Sequence, residues 1–426
     1  MNKIYQLDLF PKINNVDFGT GRISEIISAL ILYFKVESIE DLRVEQKLTF
    51  ICHVLQMPPE RFDKLIAENS PVLRTVQGHV FETVFDHIMS HANYEVTKIG
   101  GDDDVDRIIN KFSLQLKTPT KSGTKDKTVQ YKTHKTHGAK SEVESMDYYH
   151  SVHDFADLLV GLITYNPFSI IFIKKEELPR HGTDTNKILS PFSMEWENHP
   201  GLNNFRRIGI NRIDVDHSIF KNDPASELLP LTSNAIGVNT NIILDTILSS
   251  SNFRIWDMSI RGFAREAQFN YLLTSFGRKI YKSKESRRER GEKADFALKK
   301  NSNNKMTFFQ MKGVSTNNCI FKGRESLLAC ETQLTRGRVN DHPTQSRLYL
   351  KSDFDYLIIG LDPVLSKKYN QEVGNKKNKL EWTYYAIPTE DLKSHPKLPH
   401  RLKSLQTLKF IELSKYEIND SWYNIW

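Results

Sequence analysis

The sequence predicts an α/β protein with two related cores, each a mixed sheet flanked by helices, preceded by a small helical region. Three observations support this prediction. A pair of short β-rich runs with the same polar residues occurs twice, a helix-like segment with a glutamate precedes each pair, and an apolar strand follows each pair. Alternation of helical patterns with strands is typical of the α/β class.

The predicted organisation has four parts. Apolar residues recur at helical spacing in residues 23–34 and 48–55, which predicts short helices near the N-terminus. A Pro/Ser/Asn-containing stretch with Pro224 and Pro230 as breakers predicts a connector in the middle of the chain. The predicted boundaries are residues 1–66 for the helical region, 67–215 for the first α/β domain, 216–258 for the connector and 259–426 for the second α/β domain.

The first core contains a predicted β-hairpin. Asp106 leads one β-rich run, the turn is polar, and the next run closes with Gln115, Leu116 and Lys117. Alternate side chains of a strand share a face, so Gln115 and Lys117 are expected together on one face of the sheet.

The second core repeats this arrangement. Asp295 leads one run and Gln310, Met311 and Lys312 close the next. Seventeen residues separate Asp295 from Lys312, against eleven between Asp106 and Lys117. The six extra positions fit within the Asn/Ser/Lys loop at residues 299–305, where insertions are tolerated.

The flanking segments also correspond. Glu82 and Glu266 lie in the helix-like segments before the two hairpins, and the apolar strands at residues 168–173 and 356–361 follow them. Between the first hairpin and its late strand, a helix is predicted from four apolar residues at helical spacing, namely Phe155, Leu158, Leu159 and Leu162.

A carboxylate, an amide oxygen and an ammonium that converge in this way can hold Mg²⁺ and orient a water molecule. A plainer interpretation is that apolar strands commonly expose a Gln and a Lys, and that a helix Glu is usually a solvated charge. Two copies in the same order favour the functional interpretation.

The order of helix with Glu, strand, hairpin with Asp and Gln-x-Lys, helix and strand resembles the PD-(D/E)XK nuclease core of type II restriction endonucleases. Gln in place of the commoner Asp or Glu is similar to the Mrr-type and some modification-dependent enzymes, in which a Gly-Gly-Asp-rich approach, as at residues 100–106, precedes Gln-x-Lys. The resemblance covers roughly residues 70–175 and 259–363.

The resemblance implies site-specific hydrolysis of phosphodiester bonds in double-stranded DNA with Mg²⁺, leaving 5′-phosphate ends. It implies metal binding by the aspartates, the glutamines and two backbone carbonyls, orientation of water by the lysines, and restoration by the helix glutamates of the charge that Gln lacks. These residues are Asp106, Gln115, Leu116, Lys117 and Glu82 in the first core, and Asp295, Gln310, Met311, Lys312 and Glu266 in the second.

Candidate DNA contacts are basic residues near the two hairpins. The chain has 59 basic and 52 acidic residues, a formal net charge of +7 that is weak support by itself. The basic residues cluster after the first motif and on both sides of the second, where they could follow phosphates or simply belong to solvated loops. The predicted contacts are Lys121, Lys125, Lys127, Lys132, Lys135, Arg287, Arg288, Arg336 and Arg338.

Two cores in one chain predict a monomeric pseudo-dimer that cuts both strands of a duplex, or a homodimer if one core is inactive. A DNA methyltransferase acting on the same site is the further partner that such a role allows. Three cysteines without metal-site spacing and no signal-like N-terminus predict a cytoplasmic protein. Two alternatives stay open: a non-catalytic DNA-binding or regulatory protein with the same fold, and a modification-dependent or repair nuclease with one active core.

Overall fold

The computed structural model describes residues 16–99, 105–123, 127–133, 149–211, 213, 215–220, 227–249, 254–282, 294–299, 306–314, 319–333, 348–374 and 380–419. The chain divides into two compact units. We call residues 66–255 the first unit, and residues 1–65 with 256–426 the second unit. The N-terminal helices thus belong to the same unit as the second motif.

The N-terminal part of the second unit contains α1 (Ile23–Phe34), α2 (Val44–Leu55) and most of α3 (Pro59–Ala67), which crosses the boundary between the units. The residues directly after the first two helices, Lys35 and Gln56, have positive φ values of 55° and 48°. This left-handed conformation turns the chain out of the helix. Their apolar faces are buried, which explains the helical spacing in the sequence. Among the described helices, none is both long and apolar enough to cross a bilayer.

The first unit contains one long helix, α4 (Ser70–His91), and a five-stranded sheet. The order is β1-β2-β3-β6-β7, in which β3 and β6 run parallel and every other pair is antiparallel. A second, three-stranded sheet has the order β4-β5-β8. The strands are β1 (Thr97–Lys98), β2 (Arg107–Ile109), β3 (Phe112–Lys117), β4 (Lys121–Gly123), β5 (Thr128–Tyr131), β6 (Leu158–Tyr165), β7 (Phe168–Lys174) and β8 (Phe192–Glu195).

The predicted hairpin is confirmed as β2 and β3, joined at Asn110 and Lys111. Both turn residues have positive φ, 48° and 75°. This is the backbone of a two-residue turn whose twist matches that of the flanking strands, and asparagine adopts it at little cost.

The second unit has the same sheet plan. Its order is β14-β13-β11-β10-β9, again with one parallel pair, β11 and β13, and antiparallel neighbours elsewhere. A small antiparallel sheet pairs β12 with β15. The strands are β9 (Ile280–Lys282), β10 (Phe296–Lys299), β11 (Met306–Lys312), β12 (Leu327–Glu331), β13 (Tyr356–Leu361), β14 (Thr383–Pro388) and β15 (Leu405–Lys409). The protein is therefore of the α/β class.

The similarity between the two units extends past the sheets. After the fifth strand of each unit the chain makes a short 3-10 turn and a loop in which a histidine amide donates to the carbonyl of a basic residue six positions later. The bonds are His181 to Lys187 and His395 to Arg401, both with a donor–acceptor distance near 3 Å: 2.9 and 2.8 Å. Each loop leads into the last strand of the small sheet, β8 or β15.

One secondary-structure prediction was wrong. Phe155, Leu158, Leu159 and Leu162 do not form a helix, because residues 158–165 are the parallel strand β6. A strand buried on both faces is apolar without alternation, and such a run also fits helical spacing. The counterpart of β13 is consequently β6, whereas the apolar segment at residues 168–173 is the fifth strand, β7.

The predicted connector contains α5 (Pro230–Ile236) and α6 (Thr240–Ile247). Pro230 begins a helix rather than breaking one, as proline can at the first helical position. α6 packs on α4, where the Thr246 hydroxyl donates to the Thr83 hydroxyl over 3.0 Å. Pro224 lies outside the described residues. The segment is thus part of the first unit.

Each five-stranded sheet has an apolar cluster on the face shared by the motif residues. In the first unit it includes Tyr131, Phe155, Leu159 and Ile171. In the second unit it includes Tyr349, Leu357 and Ile359, with contributions from α8 (Pro363–Glu372) and α9 (Phe410–Leu413). α7 (Arg261–Ser275) covers the opposite face of that sheet through Phe269 and Leu273. The motif residues therefore lie at the margin of a buried layer.

Candidate functional site

In the first unit, the structure brings Asp106 and Gln115 into direct contact. Asp106 precedes β2 and lies across from Gln115 of β3. Its Oδ2 accepts hydrogen bonds from Gln115 Nε2 at 3.0 Å and from the Leu116 backbone amide at 2.7 Å. The Asp106 amide donates to the Leu114 carbonyl over 2.8 Å. The hairpin backbone therefore fixes the carboxylate.

The second unit repeats these bonds. Asp295 Oδ2 accepts from Gln310 Nε2 at 2.6 Å and from the Met311 amide at 2.8 Å. The Asp295 amide donates to the Phe309 carbonyl over 2.9 Å. The two motifs thus share one local geometry, although the loops between Asp and Gln differ in length.

The lysines complete each motif on the same face. Lys117 and Lys312 follow the glutamines by two residues on a strand, so their side chains leave the sheet on the glutamine side. Lys312 Nζ lies 5.4 Å from the centre of the Tyr349 ring, and its charge lies close enough to Asp295 to favour the ionised carboxylate. Both lysines are partly exposed.

Burial raises the pKa of Asp295 above its ordinary value. The Met311 amide, the Lys312 ammonium, the Gln310 amide and the Arg265 guanidinium each oppose that rise without cancelling it. The ionised carboxylate is therefore undercompensated in the protein alone, and a further cation beside it would stabilise the charge.

The oxygen atoms at each motif are suitable ligands for a hard, hydrated cation. Carboxylate, amide and backbone carbonyl oxygens are what Mg²⁺ accepts, and it is usually bound by only one or two carboxylates with waters in the remaining positions. Gln115 Oε1 is inaccessible to solvent and has no hydrogen-bond partner, so it is available as a ligand. Within the described ranges no three His, Cys, Asp or Glu residues cluster as a metal site. The set fits Mg²⁺ held largely through neutral oxygens and water.

Glu82 takes part in an ion-pair network on α4. Arg107 Nη2 lies 3.0 Å from Glu82, Arg107 Nε lies 2.8 Å from Asp86, and His79 lies 3.4 Å from Glu82. Burial opposes ionisation of Glu82, but His79 and Arg107 outweigh it and lower its pKa. Arg107 is adjacent to Asp106 on the strand and so faces the other way. The network gives Glu82 a structural role, and metal ligation by Glu82 stays a prediction.

Glu266 occupies an exposed position of α7, whereas the buried residues of that helix are Ala264, Gln268, Phe269 and Leu273. Its charge acts on the neighbouring guanidinium of Arg265. Metal ligation by Glu266 also stays a prediction.

Two aspartates that the sequence interpretation did not assign help to place the motifs. Asp157 Oδ2 accepts from the Ser113 amide at 2.9 Å and its hydroxyl at 2.7 Å. Asp355 Oδ2 accepts from the Phe308 amide at 2.8 Å. Each aspartate precedes the parallel strand and holds the glutamine-bearing strand in register with it. The sequence signal was an Asp immediately before each of these apolar strands.

Few of the predicted DNA contacts can be placed. Lys127 forms an ion pair with Glu197, and Lys132 is exposed. Lys121 begins β4, and its side chain is not described. The others lie outside the described residues, namely Lys125, Lys135, Arg287, Arg288, Arg336 and Arg338.

No protein-family model matches the chain, and neither a curated protein nor a solved structure matches it.

Proposed function

We propose that this protein is a Mg²⁺-dependent, site-specific endonuclease that hydrolyses phosphodiester bonds of double-stranded DNA, with two cores resembling those of type II restriction enzymes. The observation that supports the proposal most is the repeated motif geometry. In each unit an Asp before the second strand accepts from a Gln side chain and the next amide, and a Lys follows on the same face.

Asp106 and Asp295, with the Gln115 and Gln310 side chains and the Leu116 and Met311 carbonyls, would hold the metal. Bound Mg²⁺ supplies Lewis acidity and lowers the pKa of water. Lys117 and Lys312 donate to the attacking water and neutralise charge that develops on the phosphate. The apolar cluster beside each motif excludes water from one side and strengthens these interactions.

Two motifs in one chain suit the hydrolysis of two backbones. Type II enzymes usually obtain two centres from a homodimer. A single chain with two unequal cores could instead act as a monomeric pseudo-dimer on an asymmetric sequence. Such an enzyme would work in the cytoplasm, where its partners would be duplex DNA and a methyltransferase that protects the same site.

The test is cleavage of supercoiled and linear plasmid DNA with Mg²⁺ by the wild type, Lys117→Ala and Lys312→Ala. Discrete fragments from the wild type and nicked circles from each variant are expected if each core cuts one strand. Lys403→Ala removes an exposed lysine of the second unit away from the motif and should cleave normally. Unchanged cleavage by both motif variants would contradict the proposal.

A non-catalytic DNA-binding protein is the second candidate, because one oxygen of each motif carboxylate already accepts two protein N–H groups. In that case Lys117 and Lys312 would contact phosphates without chemistry. Binding would then fall with salt and be indifferent to Mg²⁺. DNA binding without cleavage at any divalent cation would favour this candidate.

A further inference from the structure

The second unit contains an arginine whose environment differs from that of Arg107 and Arg261. Arg265 of α7 is partly buried, and its Nε is inaccessible to solvent and has no hydrogen-bond partner. No ion pair involving Arg265 is formed among the described residues. A guanidinium does not lose its proton in a protein, so a guanidinium with an enclosed, unpaired N–H group calls for an anion.

Two glycines make room for this side chain. A β-carbon at Gly313 would collide with the Arg265 guanidinium, and one at Gly360 would collide with the Arg265 methylene groups. Neither glycine has a positive φ, so backbone conformation does not require glycine at these positions. The glycines therefore serve to admit Arg265. Gly313 directly follows Lys312, which brings the guanidinium to the end of the motif strand.

Arg265 lines a cavity of about 150 Å³ within the second unit, together with Arg261, Gly313, Gly360 and Asp362. This is roughly ten times the 10–15 Å³ that one water needs, so a tetrahedral oxyanion fits. The carboxylates at its wall are already engaged. Asp362 pairs with Arg261 and caps α8, and Asp257 lies 3.4 Å from Arg261.

The nearby Asp295 is close enough to interact electrostatically with Arg265. Its Oδ2 nevertheless accepts from Gln310 and Met311. Five N–H donors of a fixed planar fork are available on Arg265, and phosphate oxygens match that fork. An anion in the cavity would supply the missing partner.

Among its described residues the first unit has no counterpart of this arginine site. The strand registers allow the two helices to be aligned. Lys98 and Lys282 occupy the same register position beside the second strand, and each lies sixteen residues after the helix glutamate, Glu82 or Glu266. Phe81 therefore corresponds to Arg265. The strand registers likewise match Leu162 with Gly360, and Thr118 follows Lys117 as Gly313 follows Lys312. Phe81 and Leu162 are buried apolar residues.

The arginine of the first unit comes from the sheet instead. Arg107 pairs with Leu114, and Phe296 pairs with Phe309 at the same position of the second unit. Arginine and phenylalanine have thus exchanged places between helix and strand. Arg107 is neutralised by Glu82 and Asp86, whereas Arg265 has no such pairing among the described residues and is left for a ligand.

We propose that Arg265 and the cavity beside Gly313 form a phosphate-binding site, and that it holds a backbone phosphate of nucleic acid next to Lys312 in the second unit only. The assignment of nucleic acid as the source of the phosphate rests on the proposed function, whereas the oxyanion site does not. The first unit would then bind DNA without this contact, which makes the two cores unequal.

The first experiment measures phosphate binding without cleavage. The wild type, Arg265→Met and Arg265→Lys are titrated in EDTA with inorganic phosphate, by calorimetry at constant ionic strength, and with a labelled 20-base-pair duplex, by fluorescence anisotropy. Loss of a charge-assisted contact predicts about a tenfold or greater loss of duplex affinity in Arg265→Met. The slope of log affinity against log salt should fall by about one. Arg265→Lys keeps the charge but not the planar fork of donors. Its duplex affinity should lie between those of the wild type and Arg265→Met.

Gly313→Ala provides a test that leaves Arg265 in the sequence, because the added methyl group displaces the guanidinium. It should lose phosphate affinity as Arg265→Met does. Thr118→Ala at the corresponding position of the first unit and Lys403→Met on an exposed surface are the matched controls, and both should bind as the wild type does.

The outcomes separate the two proposals. Reduced phosphate and duplex binding in Arg265→Met and Gly313→Ala supports the site, even if no variant cleaves DNA. Phosphate binding that depends on Arg265 while duplex binding does not would overturn the assignment to nucleic acid. If folded Arg265→Met loses thermal stability but binds both ligands as the wild type does, Arg265 only balances Asp295 and the site is overturned.

Discussion

The Gln310 side chain donates a hydrogen bond of 2.6 Å to Asp295, which joins the two strands of the second hairpin on the face from which Lys312 extends. Gln310 is buried, so this bond forms away from solvent. The neutral amide nitrogen thus supports the aspartate. In the first unit the oxygen of the matching glutamine, Gln115 Oε1, has no hydrogen-bond partner and is open to another ligand. An ionised glutamate at position 310 would have no N–H group to donate to Asp295.

Gln310→Glu is therefore expected to destabilise the protein without metal and to increase its response to Mg²⁺. Loss of a hydrogen bond to a charged group costs about 1.5–3 kcal/mol in free energy of unfolding, and repulsion between two carboxylates adds to it. Thermal denaturation with EDTA or Mg²⁺ measures both effects. Gln310→Met, which loses the bond without gaining charge, is the control. An equal rise in Tm with Mg²⁺ in the two variants would count against a metal at this motif.

Asp295→Asn should show the sign of the pKa shift at this motif. Because burial raises the folded-state pKa of Asp295, ionisation costs stability, and that cost appears as pH rises through the ordinary value of 3.8 toward the raised one. The amide has no such cost, so the variant should gain Tm relative to the wild type as pH increases from 3 to 7, while its cleavage of DNA is lost.

Asp157→Asn is a control for which the expected change in Tm has the opposite sign. Partial burial opposes its ionisation, but the Ser113 hydrogen bonds and Lys175 outweigh that effect and lower its pKa. Its stabilisation is present above the ordinary value of 3.8 and is lost as pH falls toward the lowered pKa. The variant should therefore lose Tm relative to the wild type near neutral pH. The same sign in both variants would refute the assigned environments.

The sequence predicted the parts of the motif that depend on alternation and turn chemistry. Asp106 and Gln115 meet because an Asn-Lys turn and a strand period of two fix their positions. The parallel strand could not be distinguished from a helix by spacing, since burial on both faces removes the alternation. The similarity of the loops after the fifth strands could not be predicted from the sequence. Backbone hydrogen bonds repeat there, as at His181 and His395, while most side chains differ.

The Arg107 network should prove structural. Arg107 is buried and contacts Glu82 and Asp86, so Arg107→Met would leave these carboxylates only His79 and the exposed Lys98 as partners among the described residues and cost about 3 kcal/mol in free energy of unfolding. Glu82→Gln should cost less, because Asp86 still holds the guanidinium. Chemical denaturation measures both variants.

The exposed Glu266 is the matched position in the second unit, and Glu266→Gln should leave the free energy of unfolding within about 0.5 kcal/mol of the wild type.

The Mg²⁺ concentration for half-maximal cleavage should stay unchanged in Glu82→Gln if the network is structural. A large increase in that concentration would instead identify Glu82 as a metal ligand.

The residues that pack beside the motif lysine differ in size between the two units. In the first unit the Tyr131 ring lies over Gly161, and its hydroxyl donates to the Leu162 carbonyl at 2.9 Å. At the corresponding positions of the second unit, Ile359 replaces the glycine and Cys330 replaces the tyrosine. The large and the small residue have thus exchanged positions between the two units.

Gly161→Ala should therefore destabilise the first unit, because the added methyl group collides with the Tyr131 ring. Overpacking of this kind costs about 1–3 kcal/mol. Tyr131→Leu removes the ring and should cost free energy by itself, yet the double variant should lose less than the two single losses combined, with a coupling of roughly 0.5–3 kcal/mol. Chemical denaturation of the four proteins measures this coupling. Additive losses would mean that the ring does not rest on Gly161.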